Sequence, residues 1–135
     1  MKDTTSRGDV TEWQVAAALV RRGLKLLRPL SSATRYDLLI DHEDGTFTRV
    51  QCKTGALRKG CVIFRLYSVS GHSVVAKRYA GQVDAFGVYC PDTNVTYLVP
   101  TGALVDCSNV ASLRLTPARN GQRKRTRDAA EFVIS

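Results

Sequence analysis

The chain has 135 residues, with 44% apolar and 24% charged residues and a net charge of +8. This length and composition exclude wholesale disorder and predict a single domain over residues 1–135 with a buried core. The positive charge favours a polyanionic partner, of which nucleic acid is the first candidate.

The first predicted element is an amphipathic helix. Ser6 or Asp9 would cap its start, and Gly23 would end it after the basic pair Arg21 and Arg22. Apolar residues recur along it with helical spacing and predict its buried face: Val10, Trp13, Ala16, Ala17, Leu19 and Val20. Trp13, like Phe86 further along the chain, fits a core position.

Short strands dominate the rest of the chain. The pattern predicts them at 24–28, 36–41, 47–53, 61–67, 84–90, 95–99 and 112–115. We interpret 42–46 as a turn that begins at Asp41, 56–60 as a basic loop, 101–105 as a helical turn and 126–133 as a short terminal helix. The segment 68–81 gives no clear assignment. Helices and mostly antiparallel strands together indicate an α/β layer fold.

Two adjacent strands bring a carboxylate, an amide and a lysine together. Asp37 begins one strand, and Gln51 and Lys53 share one face of the next because they are two residues apart. The carbonyl of Cys52 lies between them. Carboxylate, amide and carbonyl oxygens are ligands for Mg²⁺, and an ammonium group offsets charge on a phosphate. An alternative stays open, in which Asp37 caps a backbone amide and the other two are ordinary solvated strand residues.

Glu12 is the candidate fourth member of this site. It lies three residues after Asp9, which suits a capping box or a first-turn charge. It also lies on the same helix face as Ala16 and Leu19, at the N-terminal end of that face. From there its carboxylate can extend to the ends of the strands and bind a metal. Both interpretations fit the sequence.

Basic residues surround the candidate site and fill the C-terminal segment 114–127, which carries six basic residues and no acid. The alternative to a phosphate contact is a solvated surface residue. Gly55 would let the backbone approach the phosphate chain. The candidate DNA-binding residues are Arg35, Arg58, Lys59, Arg119, Arg123, Lys124, Arg125 and Arg127.

The four cysteines lack C-x-x-C spacing, so we expect reduced core residues rather than a zinc site. The segment 1–6 lacks the apolar stretch of a secretory signal, and the apolar runs are too short to cross a bilayer. We expect a cytoplasmic protein without a membrane partner.

The chain resembles the PD-(D/E)XK nucleases, and within them the small endonucleases associated with group I introns. Asp37 matches the first acid of the motif and Lys53 its lysine, while Gln51 stands where the second acid is usual. Further similar pieces occur in the same order across residues 7–132: 8–12, 28–30, 35–38, 50–55, 79–84, 97–100 and 113–122.

This resemblance implies a restriction-endonuclease-like core, with a mixed and mostly antiparallel sheet flanked by helices. It implies a Mg²⁺-dependent homing endonuclease that cuts double-stranded DNA as a homodimer or homotetramer. The catalytic residues would be Glu12, Asp37, Gln51 and Lys53, with Glu12, Asp37, Gln51 and Cys52 at the metal. Two alternatives are a structure-selective nuclease similar to Holliday-junction resolvases and a DNA-binding module with a decayed site.

Overall fold

The computed structural model describes residues 4–66, 82–116 and 127–135. One α-helix, α1, spans Thr4–Arg21 in this part of the chain. The strands are β1 (Lys25–Leu27), β2 (Leu38–Asp41), β3 (Phe47–Thr54), β4 (Ala56–Arg58), β5 (Cys61–Arg65), β6 (Ala85–Cys90), β7 (Val95–Pro100), β8 (Val110–Arg114) and β9 (Arg127–Asp128). Short 3₁₀ helices occupy Thr101–Leu104 and Ala129–Glu131.

The strands form two sheets. The first has the order β1-β2-β3-β6-β7 and is antiparallel except for the parallel pair β3–β6. The second has the order β4-β5-β8-β9 and is antiparallel except for β8–β9. The helix covers one face of the first sheet, and the second sheet covers part of the other face. This confirms the predicted mixed and mostly antiparallel α/β architecture.

The buried face of the helix overlaps the predicted one, because Leu19 is buried and Val10 and Ala16 pack against the core, but it is rotated away from Trp13 and Val20. Its buried residues are Thr11, Val15, Ala18 and Leu19, whereas Trp13 is 69% exposed. Val20 is exposed as well, so the core positions assigned to Trp13 and Val20 are wrong. The physical reason is close packing: a Cβ atom on Gly87 of β6 would lie 2.5 Å from Val15 Cγ1, so glycine admits Val15 against the sheet.

The helix ends as predicted but starts earlier. Gly23 has a φ of 83° and donates its N–H to the carbonyl of Val20 at 2.8 Å. Leu24 donates to Leu19 at 3.2 Å, which completes a Schellman motif. Ser6 and Asp9 lie inside α1, so neither is its N-cap. Glu12 therefore does not belong to a capping box.

Two other segments differ from the prediction. The segment 56–60 is not only a loop, because β4 pairs with β5 through Ala56↔Ile63 and Arg58↔Cys61 before a turn at Lys59 and Gly60. The segment 126–133 is not an α-helix, since its described residues form β9, a 3₁₀ helix and an isolated bridge from Val133 to Tyr97. In both cases backbone pairing across the sheet outweighs local propensity.

Several predicted features are confirmed. Phe86 is fully buried between the sheets, and all four cysteines are free. Asp41 ends β2 beside the turn and accepts a hydrogen bond from the Glu43 N–H at 2.8 Å, which gives its carboxylate the expected role in the turn. The unassigned segment 68–81 lies outside the described residues. Among the described residues, no helix combines the length and apolar character needed to span a membrane.

Candidate active site

The end of the β2–β3 ladder sets the geometry of the site. Leu38 pairs with Val50, so extending this antiparallel register by one residue places Asp37 opposite Gln51. Asp37 itself donates its N–H to the carbonyl of Val50 at 2.8 Å. Side chains on directly opposed residues of antiparallel strands are neighbours. The structure therefore brings Asp37 and Gln51 to the same end of the ladder.

Gln51 and Lys53 lie on the face of β3 that is turned away from the helix. The alternate residues, Val50 and Cys52, pack in the core beneath α1. In the parallel register Gln51 lies beside Phe86, which belongs to the core between the two sheets. The predicted sharing of one strand face by Gln51 and Lys53 is thus observed.

Asp37 is fixed by the backbone of Cys52. The Cys52 N–H donates to Asp37 Oδ2 at 2.8 Å. In an extended strand the N–H and the carbonyl of one residue point to the same side. The Cys52 carbonyl therefore faces the same side as the Asp37 carboxylate, beyond the point where β2 begins. This arrangement suits the predicted use of that carbonyl as a ligand.

An unpartnered buried oxygen marks the site. Within the part of the chain that the structure describes, Gln51 Oε1 has almost no solvent-accessible surface and no hydrogen-bond partner. A buried polar atom without a partner costs about 1–3 kcal/mol, and most such atoms in folded proteins are satisfied. An amide oxygen in this position is a ready ligand for a hard cation.

Glu12 approaches this region from α1. Its Oε1 lies 3.5 Å from Nη2 of Arg28, and its side chain is only partly exposed. Burial raises the pKa of Glu12, and the nearby Asp37 charge raises it further, while Arg28 lowers it. A carboxylate whose pKa is raised by a second carboxylate favours a cation between the two.

Burial is the largest cause of the pKa shifts of both Asp37 and Lys53. Burial raises the pKa of Asp37, against the lowering effects of the Cys52 hydrogen bond and of Lys53. Burial lowers the pKa of Lys53, while Asp37 raises it and Arg65 lowers it. Perturbed groups that face one another in this way are typical of catalytic sites.

The donor set fits a hard divalent cation. It combines the Asp37 carboxylate, the Gln51 amide oxygen, the Cys52 carbonyl and the Glu12 carboxylate, all of which are oxygen ligands. Asp37 Oδ2 already accepts one hydrogen bond, but a carboxylate has capacity for more. Within the described residues no three side chains of His, Cys, Asp or Glu gather in one place. The amide and the carbonyl are therefore needed to complete such a set.

The sequence profile of the PD-(D/E)XK endonuclease family matches residues 2–135. The chain belongs to this family. No curated protein gives a significant match. Among solved structures, the bacterial homing endonuclease I-Ssp6803I superposes with a TM-score of 0.70 and 20% sequence identity, covering 99% of this chain and 88% of that one. The chain is thus an endonuclease with the restriction-endonuclease-like fold, and PD-(D/E)XK nucleases generally use divalent metal ions.

Sequence patterns did not indicate some residues that lie near the candidate site. Arg28 lies beside Glu12, and its charge lowers the pKa of both Glu12 and Asp37. The buried Thr11 meets Thr54 through their hydroxyl groups at 2.6 Å. No local pattern could reveal these contacts, because they join residues that are far apart in sequence.

Gly55 and Asp84 have structural roles. A Cβ atom on Gly55 would lie 2.7 Å from Val62 Cγ1 and 3.1 Å from Val88 Cγ1, so the glycine allows the sheets to pack closely. The proposed approach of Gly55 to a phosphate is therefore wrong. Asp84 binds Arg49 through Nε and Nη2, both at 3.0 Å, and accepts the Arg49 N–H at 2.8 Å. This clamp joins β3 to the start of β6.

The candidate DNA-binding residues divide into three groups. Arg35, Arg58 and Lys59 are exposed, as a phosphate contact requires. Arg127 is different, because its side chain is only 11% exposed and its guanidinium binds Asp106 Oδ1 at 2.5 Å and Cys107 Sγ at 3.3 Å. Its guanidinium is therefore held in a half-buried ion pair, and its contact with DNA stays a prediction. The remaining four lie outside the described residues: Arg119, Arg123, Lys124 and Arg125.

Proposed function

We propose that this endonuclease is a Mg²⁺-dependent homing-type enzyme that hydrolyses phosphodiester bonds at specific sites in double-stranded DNA. The observation that carries the proposal is the buried Gln51 Oε1, which lacks a partner among the described residues and belongs to the residue opposite Asp37 in the extended β2–β3 register. Asp37 in turn is held by the Cys52 N–H. The homing type is supported by the fold shared with I-Ssp6803I, which is described as a bacterial homing endonuclease.

Asp37, Gln51, the Cys52 carbonyl and Glu12 would hold the Mg²⁺ ion. When bound, the ion supplies Lewis-acid stabilisation of the phosphate and activation of the attacking water. Asp37 is held in place for this task by the Cys52 N–H. The neutral amide of Gln51 supplies an oxygen ligand without adding negative charge to two carboxylates whose pKa values are already raised.

Lys53 would act on the phosphate directly. Its ammonium group lies on the same strand face as Gln51 and near Asp37. There it orients the attacking water and offsets the charge that develops on the phosphate in the transition state. Partial burial strengthens this effect, because an ionic interaction is weakened less away from bulk water.

The active form would be a homodimer or a homotetramer. One chain carries one such site, whereas a double-strand break needs two cuts. A single compact module also buries only about 600–1,000 Å² on DNA, so a second subunit would double the contact with a long recognition site. Sedimentation equilibrium at micromolar concentration tests this, and a strict monomer that cuts both strands with first-order dependence on enzyme would contradict it.

Cleavage assays test the nuclease proposal. The homing proposal places the gene in an intron, so the substrate is a duplex that joins the host sequences on either side of such an intron, compared with a scrambled duplex and a four-way junction. We expect cleavage of the joined duplex with Mg²⁺, none with EDTA, and none of the scrambled control. Preference for the junction would instead favour a resolvase.

Two variants tie the activity to the proposed residues. Asp37→Ala and Lys53→Ala should each lower the cleavage rate by about 10²-fold or more, because each removes a ligand or a charge stabiliser. Both should retain cooperative thermal unfolding. Arg21→Ala, on the exposed end of α1, is the matched surface control. Near wild-type cleavage by either site variant would contradict the proposed site.

A further inference from the structure

The second sheet presents one face to the exterior. Its inner face is buried, with Val62 and Phe64 on β5 and Ala111 and Leu113 on β8. Side chains alternate along a strand, so the residues between them point outward. This outer face is formed by Ala56, Arg58, Cys61, Ile63, Arg65, Val110, Ser112 and Arg114.

Three arginines are spread over this outer face. Arg58 and Arg114 lie in one cross-strand row, on either side of Cys61. Two strand spacings separate them, which is about 10 Å. Arg65 is four residues from Cys61 along β5, which is about 13 Å. Arg58 and Arg65 are exposed, and Arg114 is half-buried.

The charges on the outer face match a duplex. The distances between the arginines, about 10 Å from Arg58 to Arg114 and about 14 Å from either of them to Arg65, are close to the roughly 12 Å width of the DNA major groove, so phosphates on both sides of a groove are within reach. Among the described residues of the outer face, the acidic one is Asp128 of the edge strand β9. Its backbone lies beside that of Arg114 in the β8–β9 register. Arg58 and Arg114 each bind one backbone carbonyl, which leaves other guanidinium donors for a phosphate.

The outer face also adjoins the candidate active site. Strand β5 crosses the side of the first sheet that carries Gln51 and Lys53, because its Phe64 ring packs 5.9 Å from that of Phe86. Arg65, the next residue, comes to lie opposite Thr54 when the β4–β5 register Ala56↔Ile63 is extended by two residues, and Thr54 directly follows Lys53 on β3. A duplex held on the outer face would therefore pass close to the end of the strand that carries Lys53.

We infer that the outer face of the second sheet, through Arg58, Arg65 and Arg114, binds the phosphate backbone of double-stranded DNA next to the cut. This rests on the proposed nuclease function and adds the surface that holds the substrate. The three arginines bind without reading the sequence, since contacts to phosphates position a protein but carry no base information.

The test measures binding without cleavage. A random-sequence fluorescent duplex is titrated in EDTA over a range of KCl concentrations, and the salt slope of log K is compared among proteins. The first variant is Arg58→Gln/Arg65→Gln/Arg114→Gln. The matched control, Arg7→Gln/Arg21→Gln/Lys25→Gln, removes the same charge from exposed positions on α1 and β1. Both change the net charge from +8 to +5 (8 − 3).

The first variant should lower the salt slope by about 2.7, because each phosphate that is no longer neutralised lowers it by about 0.9, and the control should leave it near the wild-type value. If the triple variant fails to unfold cooperatively, each single substitution should still lower the slope by about 0.9. Equal salt slopes in the variant and the control would overturn the inference. If the variant instead dissociates from a dimer to a monomer with an unchanged salt slope, the outer face is a contact between subunits and the inference is also wrong. If the wild-type protein binds duplex DNA with this salt dependence but does not cleave its duplex substrate in Mg²⁺, the DNA-binding surface is supported and the nuclease proposal is contradicted.

Discussion

The hydroxyl groups of Thr11 and Thr54 lie 2.6 Å apart and join the helix to the strand that carries the candidate site. Thr11 precedes Glu12 on α1, and Thr54 follows Lys53 on β3. Thr11 is buried, at 2% exposure, so the bond is shielded from water. It fixes the distance between two elements that each contribute a residue to the site.

Thr11→Val should weaken metal binding as well as stability. Valine has the same shape but no hydroxyl, so the Thr54 hydroxyl is left without its partner at a cost of about 1–3 kcal/mol. Thr11→Ser should retain both properties. The matched control is Thr96→Val, a buried threonine of β7 on the far edge of the first sheet. Calorimetric titration with Mn²⁺ checks this, and equal affinities in the Thr11→Val and Thr96→Val proteins would contradict it.

Replacing Gln51 by leucine should change stability and cleavage in opposite directions. Gln51→Leu removes the unpartnered buried oxygen, so the metal-free protein should unfold at a higher temperature while cleavage is abolished. Gln51→Glu should keep measurable cleavage, since a carboxylate oxygen also binds a hard cation. Thermal unfolding in EDTA and a cleavage assay in Mg²⁺ are measured on the same preparations. A leucine variant as active as the wild type would show that Gln51 is no ligand.

The raised pKa of Asp37 predicts how pH changes stability. In the metal-free protein the folded state holds the proton more tightly than the unfolded state, whose pKa is about 3.9. The buried charge therefore destabilises the fold at neutral pH, and this effect fades as the pH falls through the raised pKa toward about 4. Asp37→Asn should accordingly unfold at a higher temperature than the wild type at pH 7, with little difference near pH 4.

Bound Mg²⁺ should reverse the order of the unfolding temperatures of the wild type and the Asp37→Asn variant. The asparagine variant lacks the anionic ligand, so Mg²⁺ should raise the unfolding temperature of the wild type and leave that of the variant almost unchanged. Asp44→Asn is the matched control, because hydrogen bonds from Thr46 lower the pKa of this exposed carboxylate. A wild type that unfolds below the Asp37→Asn protein in Mg²⁺ as well would exclude Asp37 as a ligand.

Arg127 should behave differently from its basic neighbours in sequence. Arg127→Gln breaks the ion pair with Asp106, so it should lower the unfolding temperature. Arg123→Gln/Lys124→Gln/Arg125→Gln should leave the unfolding temperature unchanged and lower the salt slope of DNA binding by up to about 2.7. Thermal unfolding and a salt titration distinguish the two effects. An unchanged unfolding temperature together with a lowered salt slope in Arg127→Gln would show that this residue contacts DNA rather than stabilising the fold.

The sequence alone determined the features that depend on neighbouring residues. Alternation placed Gln51 and Lys53 on one strand face, and the turn before β3 made Asp37 its neighbour. Gly23 ended the helix because few other residues adopt a positive φ. These signals are local, so spacing and residue type are enough to predict them.

The tertiary structure decided everything that depends on contacts between distant residues. Two stripes of α1 have helical spacing, and the close approach permitted by Gly87 selects Val15 over Trp13. Sheet pairing turns 56–58 into a strand and places Arg127 on the buried face beside Leu113. The bond from Thr11 to Thr54 spans 43 residues of chain, and no local pattern reports a contact that only folding creates.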